Sequence, residues 1–414
     1  FFVSFQLLFF FLSFNLSAQV SATLTIDLNG IVKCTSGCTA LNTGAIGSDI
    51  YTVHDNTSLS SKPIGDTDWN RVVTTPVTIM AALFFNDTSF NQDISSWDMS
   101  NVTNMIKMFE NATSFNQDIG NWDVGNVNNM AEMFKNATSF NKDIGSWDVS
   151  SVTNIIGIFQ GATAFNNGGS NSINTWDVSS ATSMERMFRA AGNFNQPINN
   201  WDVSSATSMY EMFYDALDFN QPLNNWDVSS VTLMTRMFAL TSGLDHKFNN
   251  GASPGASGIF NWDTSSVTNM AGMFAPQGGN GGTHAFNQDI GNWDVSNVTN
   301  MSGMLKGAEK FNQDLSDWDV SSNTNFYSMF DRAYAYNNLG VSLSCWDTSS
   351  VEYMNYMFYL SPFSQDLSAW CVPLISGIQM GFDNGGGTNP NWGAACPGNS
   401  VVMTFNDVTK TFGD

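Results

Sequence analysis

A block of 25 residues recurs down this chain with so little variation that it constrains the architecture before any local propensity is weighed. It reads FNQDISSWDMSNVTNMIKMFENATS at Phe90–Ser114, FNQDIGNWDVGNVNNMAEMFKNATS at Phe115–Ser139 and FNKDIGSWDVSSVTNIIGIFQGATA at Phe140–Ala164. A period of about 20–50 residues belongs to stacked or radial arrays, in which a unit buries its apolar face only against its neighbours. The start recurs at Phe90, Phe115, Phe140, Phe165, Phe194, Phe219, Phe248, Phe286 and Phe311, and less faithfully at Tyr336 and Phe363. A tryptophan marks every unit, from Trp97 to Trp370, and Asp follows each except Trp370, which Cys371 follows. The longer steps carry NNGGSNS (Asn166–Ser172), NNGASPGASG (Asn249–Gly258) and PQGGNGG (Pro276–Gly282). Their composition predicts loops extruded at the corners of the array. VTTPVTIMAALFFNDTS (Val72–Ser89) reads as a worn first repeat, of the kind that closes an array.

Within a unit, Phe90, Ile94, Trp97, Val102, Met105, Met108 and Phe109 are the large apolar side chains. Their burial does not offset the ordering of a whole unit's backbone, so both faces of the unit have to be covered by neighbours. Val102, Met105, Met108/Phe109 and Ala112 follow helical spacing, and Asp98 and Ser100 stand where acceptors cap a helix start. Phe90–Trp97 reads as a short strand. The expected fold is therefore an α/β solenoid of the leucine-rich-repeat size class. It would stack about 11 coils, each with one short strand and one short helix.

The string FNQDIxxWDVSNVTNMxxMFxxA closely resembles the repeat of BspA-like leucine-rich-repeat surface proteins, found in Bacteroidetes, mycoplasmas and other microbes. The resemblance covers about Thr78–Cys396. DIYTVHDNTSLSSK (Asp49–Lys62) looks like the family's lead-in, and WCVPLIS (Trp370–Ser376) with NWGAACP (Asn391–Pro397) resembles its closing cap. The resemblance implies a secreted or surface-displayed protein, often adhesive, whose ligand varies. The chain departs from the pattern at the 38-residue step from Phe248 and at Leu305, where the family prefers Phe.

The expected organisation is a signal peptide at 1–18 that lacks its true start, a lead-in and cap at 19–71, repeats at 72–370, a closing cap at 371–398, and a tail or the start of a further module at 399–414. Phe1–Leu16 is an apolar run ending before Ala18, in the manner of a secretory h-region. No later stretch has 18 continuous apolar residues, so no membrane span is expected. The net charge is −22 with only 14 basic residues, which makes nucleic acid and anionic membrane surfaces poor partners. Five cysteines suit an oxidising compartment. Cys371 is expected to pair with Cys396 and Cys34 with Cys38, leaving Cys345 over.

An enzyme needs an irregular set of converging groups, and this chain offers a regular one. His54, His246 and His284 do not recur with the repeat and read as surface histidines. No catalytic motif is present, and no cofactor is expected. The Asp98-type carboxylates read as caps. A second, partial ladder begins at Asp93, Asp118 and Asp143, where Ca²⁺ bridging is conceivable, because stacked carboxylates repel unless paired, capped or bridged by a cation. The Trp column reads as core. Tyr210, Tyr214, Tyr327, Tyr334, Tyr353, Tyr356 and Tyr359 are the candidate contact residues, since tyrosine adds amphipathic area at low entropy cost. The functional expectation is a secreted or cell-surface, non-enzymatic adhesin that binds a protein or polysaccharide through one extended face. A structural stalk presenting a distal domain is the alternative.

Overall fold

The computed structural model describes residues 21–396 except 242, 257, 259, 278–281, 383–385 and 395. The expected signal peptide at 1–18 and the segment 399–414 lie outside the described residues.

The repeats hold neither the expected helix nor the expected strand. The α/β solenoid with one of each per unit is thus corrected. Among the described residues the one α-helix, α1 (Asn56–Ser60), precedes the repeats, and the strands are short and fall into small separate sheets. Each unit is instead a run of β-turns. In the first unit, Trp97 N donates to Ile94 O, Val102 N to Met99 O, Met108 N to Met105 O, Ala112 N to Phe109 O and Phe115 N to Ala112 O. Each such bond closes a three-residue step. Consecutive turns carry the chain around a corner every three residues, which places Val102, Met105, Met108 and Ala112 inward at the spacing a helix would give. The amides of Met105, Lys107, Phe109 and Asn111 are spent on Asn129, Ala131, Met133 and Lys135 of the next unit. A helix would need them for its own i−4 carbonyls.

Successive units therefore lie one on another in parallel. Single-residue bridges run Ile79–Asn104–Asn129–Asn154, and from Ser183 through Ser208, Leu233, Asn269, Asn300 and Asn325 to Tyr353. The bridged position falls in the segment that reads as helix, whereas Phe90–Trp97 carries no strand. Val72–Ser89 joins the array, with Phe84 N bonded to Met108 O and Asn86 N to Glu110 O.

Two side-chain ladders hold the stack. Every tryptophan from Trp97 to Trp370 is buried, and its indole N–H donates to a carbonyl of the preceding unit, as in Trp147 to Ile119 (3.0 Å) and Trp226 to Ile198 (2.9 Å). Neighbouring indoles lie nearly parallel, 6.4 Å apart for Trp97 and Trp122. The asparagine after each initial Phe accepts, through Oδ1, the backbone amide of its counterpart one unit on. The chain of bonds passes from Asn91 through Asn116, Asn141, Asn166, Asn195, Asn220, Asn249, Asn287 and Asn312 to Asn337. The 38-residue step does not interrupt it, since Asn249 meets Asn287 at 2.8 Å.

The insertions pack inward as well as looping out, which corrects the expectation of simple extruded loops. Asn167 and Asn338 are fully buried; Asn167 accepts from Ile144 N and Asn338 from Leu315 N. Both donate to backbone carbonyls, Ser170 and Val341 respectively.

The array is capped at each end. At the start, β1 (Thr23–Ile26) pairs antiparallel with β2 (Val32–Ser36), and β3 (Thr43–Ile46), β4 (Asp49–Val53) and β5 (Val72–Val73) form a sheet over a small core that includes Val32, Val53 and Val73. Asp55 caps α1 reciprocally with Ser58. Midway, β6 (Leu240–Thr241) pairs with β8 (Pro276–Gln277), and β7 (Asp245–His246) with β9 (Thr283–His284). At the end, β10 (Cys371–Val372) runs parallel to β11 (Asn391–Trp392). The structure joins Cys34 to Cys38 and Cys371 to Cys396, and leaves Cys345 free and exposed.

Because the backbone, indole and asparagine bonds between coils recur from unit to unit, removing Phe115–Ser139 whole should leave a shorter folded protein, with Asn91 meeting the amide of Asn141. Removing only Phe115–Asn126 should not fold, since it takes away Asn116, Ile119 and Trp122 and leaves Val127, Met130, Met133 and Phe134 as half a coil with no indole or asparagine of its own. Circular dichroism and urea titration of both deletions check this. Equal loss of structure in the two would sink the modular reading.

Candidate functional site

The side chains that vary from unit to unit concentrate on one face, the turns around the recurring Met-Phe pair. Seven of the 14 basic residues lie there: Lys107, Lys135, Arg186, Arg189, Arg236, Lys306 and Arg332. The turn forces a positive φ on the residue just before Met-Phe, because the third position of a type II turn is left-handed. Lys107 (58°), Glu132 (54°), Arg186 (55°), Glu211 (53°), Arg236 (55°) and Tyr356 (59°) all adopt it. These side chains recur at one place in the unit, and those of Lys107, Arg186 and Arg236 are the more exposed.

Buried carboxylates organise the cations on this face. Glu110 lies between Lys107 (3.2 Å) and Lys135 (3.1 Å), and Glu132 joins the same two lysines from the next coil, closing a four-membered ring. Burial pushes the Glu132 carboxyl up, but hydrogen bonds from Lys135 and Lys107 hold it below the usual range. Glu211 is shared by Arg186 (3.1 Å), Arg189 (3.0 Å) and Arg236 (3.6 Å). Asp331 is shared by Lys306 (3.2 Å) and Arg332 (3.6 Å).

All seven candidate tyrosines fall on the segment that bears this face. Tyr210 and Tyr214 are stacked under Arg186 and Arg189, at 5.0 and 4.9 Å, and Tyr214 is buried. Tyr327, Tyr356 and Tyr359 interlock edge to face at 6.0 and 5.6 Å. Tyr334 and Tyr353 are exposed, and Tyr353 is the last bridged residue of the stack.

Beside the interlocked tyrosines the face is hollowed into two adjoining cavities of about 390 and 210 Å³ that share Pro276 and Lys306. Small residues (Gly272, Ser302, Gly303 and Gly307) line them; Tyr334 and Tyr359 border the larger and Tyr327 the smaller, and Arg236, Lys306 and Arg332 contribute cations. Of the seven candidate tyrosines, Tyr327, Tyr334 and Tyr359 line the cavities, and the groove itself was not expected. The signal for it was glycine at 272 and 303, where most other units carry a charged residue before Met-Phe.

The aspartate ladders lie away from this groove. Asp148, Asp202, Asp227 and Asp294 each accept the hydroxyl and the amide of the serine two residues on, as in Asp148 to Ser150 (2.6 and 3.1 Å). Those bonds, the hydroxyl foremost, hold the four carboxyls below the ordinary range. They cap turns, not helices, which corrects the sequence expectation. In the second ladder Asp93 accepts Ser95 N (2.9 Å), Asp118 accepts Gly120 N (3.2 Å), and Asp143 accepts Gly145 N (2.9 Å) and Ser172 Oγ (2.6 Å). Turn geometry thus engages these carboxylates. Among the described residues no three His, Cys, Asp or Glu side chains gather as a metal-binding group.

The three histidines are buried, so the surface reading is corrected. His246 and His284 stack on one another at 4.9 Å. Each accepts a backbone amide at Nδ1, from Phe248 and Phe286, and lies with Nε2 at 3.2 and 3.1 Å from the carbonyls of Phe213 and Phe238. That pattern fixes the neutral Nε2–H tautomer. Burial lowers the His246 pKa to about 4 and holds His284 well below the ordinary value.

A family model described as "Mycoplasma protein of unknown function, DUF285" matches residues 49–172, 168–253, 243–370 and 337–389. No curated protein and no solved structure matches the chain. No helix among the described residues is long and apolar enough to cross a membrane.

Proposed function

The chain belongs to the DUF285 family of tandem-repeat proteins, and from that premise we propose that it is a secreted or cell-surface, non-enzymatic binding scaffold that engages its partner through the turn face. The observation that carries this reading is the groove, where exposed tyrosines and cations gather around small residues. Repetition elsewhere supplies a rigid support, and departure from it supplies a distinct surface. The similarity of the repeat string to BspA-like surface proteins supports display outside the cell and an adhesive role. The buried indole column offers no sugar platform, since its rings are covered and its N–H groups are engaged.

The test is a screen of the full chain against glycan and extracellular-matrix arrays, with and without Ca²⁺, repeated with Tyr334→Ala/Tyr359→Ala. A saturable ligand that the double variant binds about tenfold or more weakly supports the scaffold. Unchanged binding by that variant removes the groove from the mechanism. Absence of any ligand transfers weight to the stalk, in which the array is a spacer.

A further inference from the structure

We propose that the groove binds an acidic polysaccharide with spaced carboxylates, of the uronate-containing class; this rests on the reading of the turn face as the binding face. Three observations point to that ligand. The first is charge. Arg236, Lys306 and Arg332 line the two cavities, against Glu309 at the rim and the buried Asp331 beneath. Arg236 also shares Glu211 with two other arginines. The site thus carries a small cationic excess in a chain of net charge −22. A few separated carboxylates match it, whereas a densely sulfated or phosphorylated chain would meet the acidic remainder of the protein.

The second is shape and chemistry of the walls. Tyr327, Tyr356 and Tyr359 hold one another edge to face. The exposed rings of Tyr334 and Tyr359 line the larger cavity as apolar planes with polar rims. Pyranose rings present the complementary surface, C–H faces bordered by hydroxyls. A peptide finds less here, because the glycine amides of the groove are already engaged. Gly272 N is bonded to Ser302 O, Gly303 N to Tyr327 O and Gly307 N to Asp331 O.

The third is glycine where the fold does not demand it. Gly303 has φ 60°, yet residues as large as Glu132 and Glu211 accept that conformation at the same place in the unit. A Cβ on Gly303 would meet only the Lys306 Cβ, at 3.9 Å. The absent side chain leaves the groove open. Gly307 differs, since a Cβ there would strike the Pro276 ring and displace the wall.

The experiment is titration of the full chain with polygalacturonate and alginate fragments, with neutral dextran and heparin in parallel, at low and high salt. The variants are Gly303→Glu, Gly303→Ala, Tyr359→Ala and Arg332→Gln, with circular dichroism confirming that each folds. The expected result is uronate binding that weakens with salt. It falls about tenfold in Tyr359→Ala and in Arg332→Gln, is lost in Gly303→Glu and survives in Gly303→Ala. Equal binding of dextran, preference for heparin, or uronate binding indifferent to Gly303→Glu overturns the proposal. If no uronate binds but another glycan or a matrix protein does, and Gly303→Glu abolishes it, the acidic class fails while the turn face stands. If no ligand of any class depends on the groove, both fall.

Discussion

Trp201→Ala should destabilise the protein by about 4–6 kcal/mol, the largest loss expected from any single substitution in the array. Trp201 is 2% exposed, donates to Ile173 O at 2.9 Å, and stacks on Trp176 at 6.2 Å and Phe188 at 6.0 Å. Truncation leaves a cavity the size of an indole and strands a buried carbonyl. Trp201→Phe keeps most of the ring and loses only the donor, so it should cost roughly half as much. Urea titration followed by circular dichroism measures both. Because each coil is held by its neighbours, the alanine variant should also broaden the transition or divide it, the two flanks of the stack melting apart. A cost below about 1 kcal/mol would mean that the column is not the core.

Acidification should produce the second large effect. A histidine whose pKa is depressed in the folded state takes up its proton in the unfolded chain first. Stability is therefore complete above the unfolded value of 6.5 and declines as pH falls towards the folded value of about 4 for His246. At about 1.4 kcal/mol per pH unit the loss from His246 alone is on the order of 3 kcal/mol. His284 adds to it in the same direction. The protonated ring would also turn an N–H at Nδ1 against the amide of Phe248 that it now accepts. The Ser-bonded aspartates lose their contribution only lower, as pH falls through and below 3.8. Thermal melts across this range should show the decline beginning near pH 6.5. In His246→Gln/His284→Gln it should flatten, at some cost in neutral stability. A wild-type melt unchanged between about pH 7 and pH 5 would contradict the buried, neutral assignment.

The period and the tryptophan column were readable as residues at recurring positions in the unit, and the cysteines as pairs near the two ends. The local conformation was not. Val102, Met105, Met108 and Ala112 repeat every three or four residues, and a helix and a run of tight turns place such residues inward alike. What separates the two is where the amides of Met105, Lys107, Phe109 and Asn111 go, and those partners lie a full unit away. Non-glycine residues at positive φ, such as Lys107 and Glu132, gave no local warning, because their side chains favour helices. The histidines misled for a related reason. His246 and His284 stand beside Gly, Asn and Asp, where exposure is the ordinary expectation, and only the pairing of β7 with β9 brings them face to face inside. The tyrosines could be picked out by type. The groove could not, because it is defined by side chains that are missing.

The asparagine ladder has a genetic consequence. Asn249 meets Asn287 across 38 residues as closely as Asn91 meets Asn116 across 25. The bond that aligns one coil with the next is blind to the length of chain between them. Recombination between repeated coding segments can therefore add or remove whole coils, and a stretch of new sequence can enter at a corner, with every coil still finding its acceptor. Such a gene can vary the length and surface of its product while the interior stays the same.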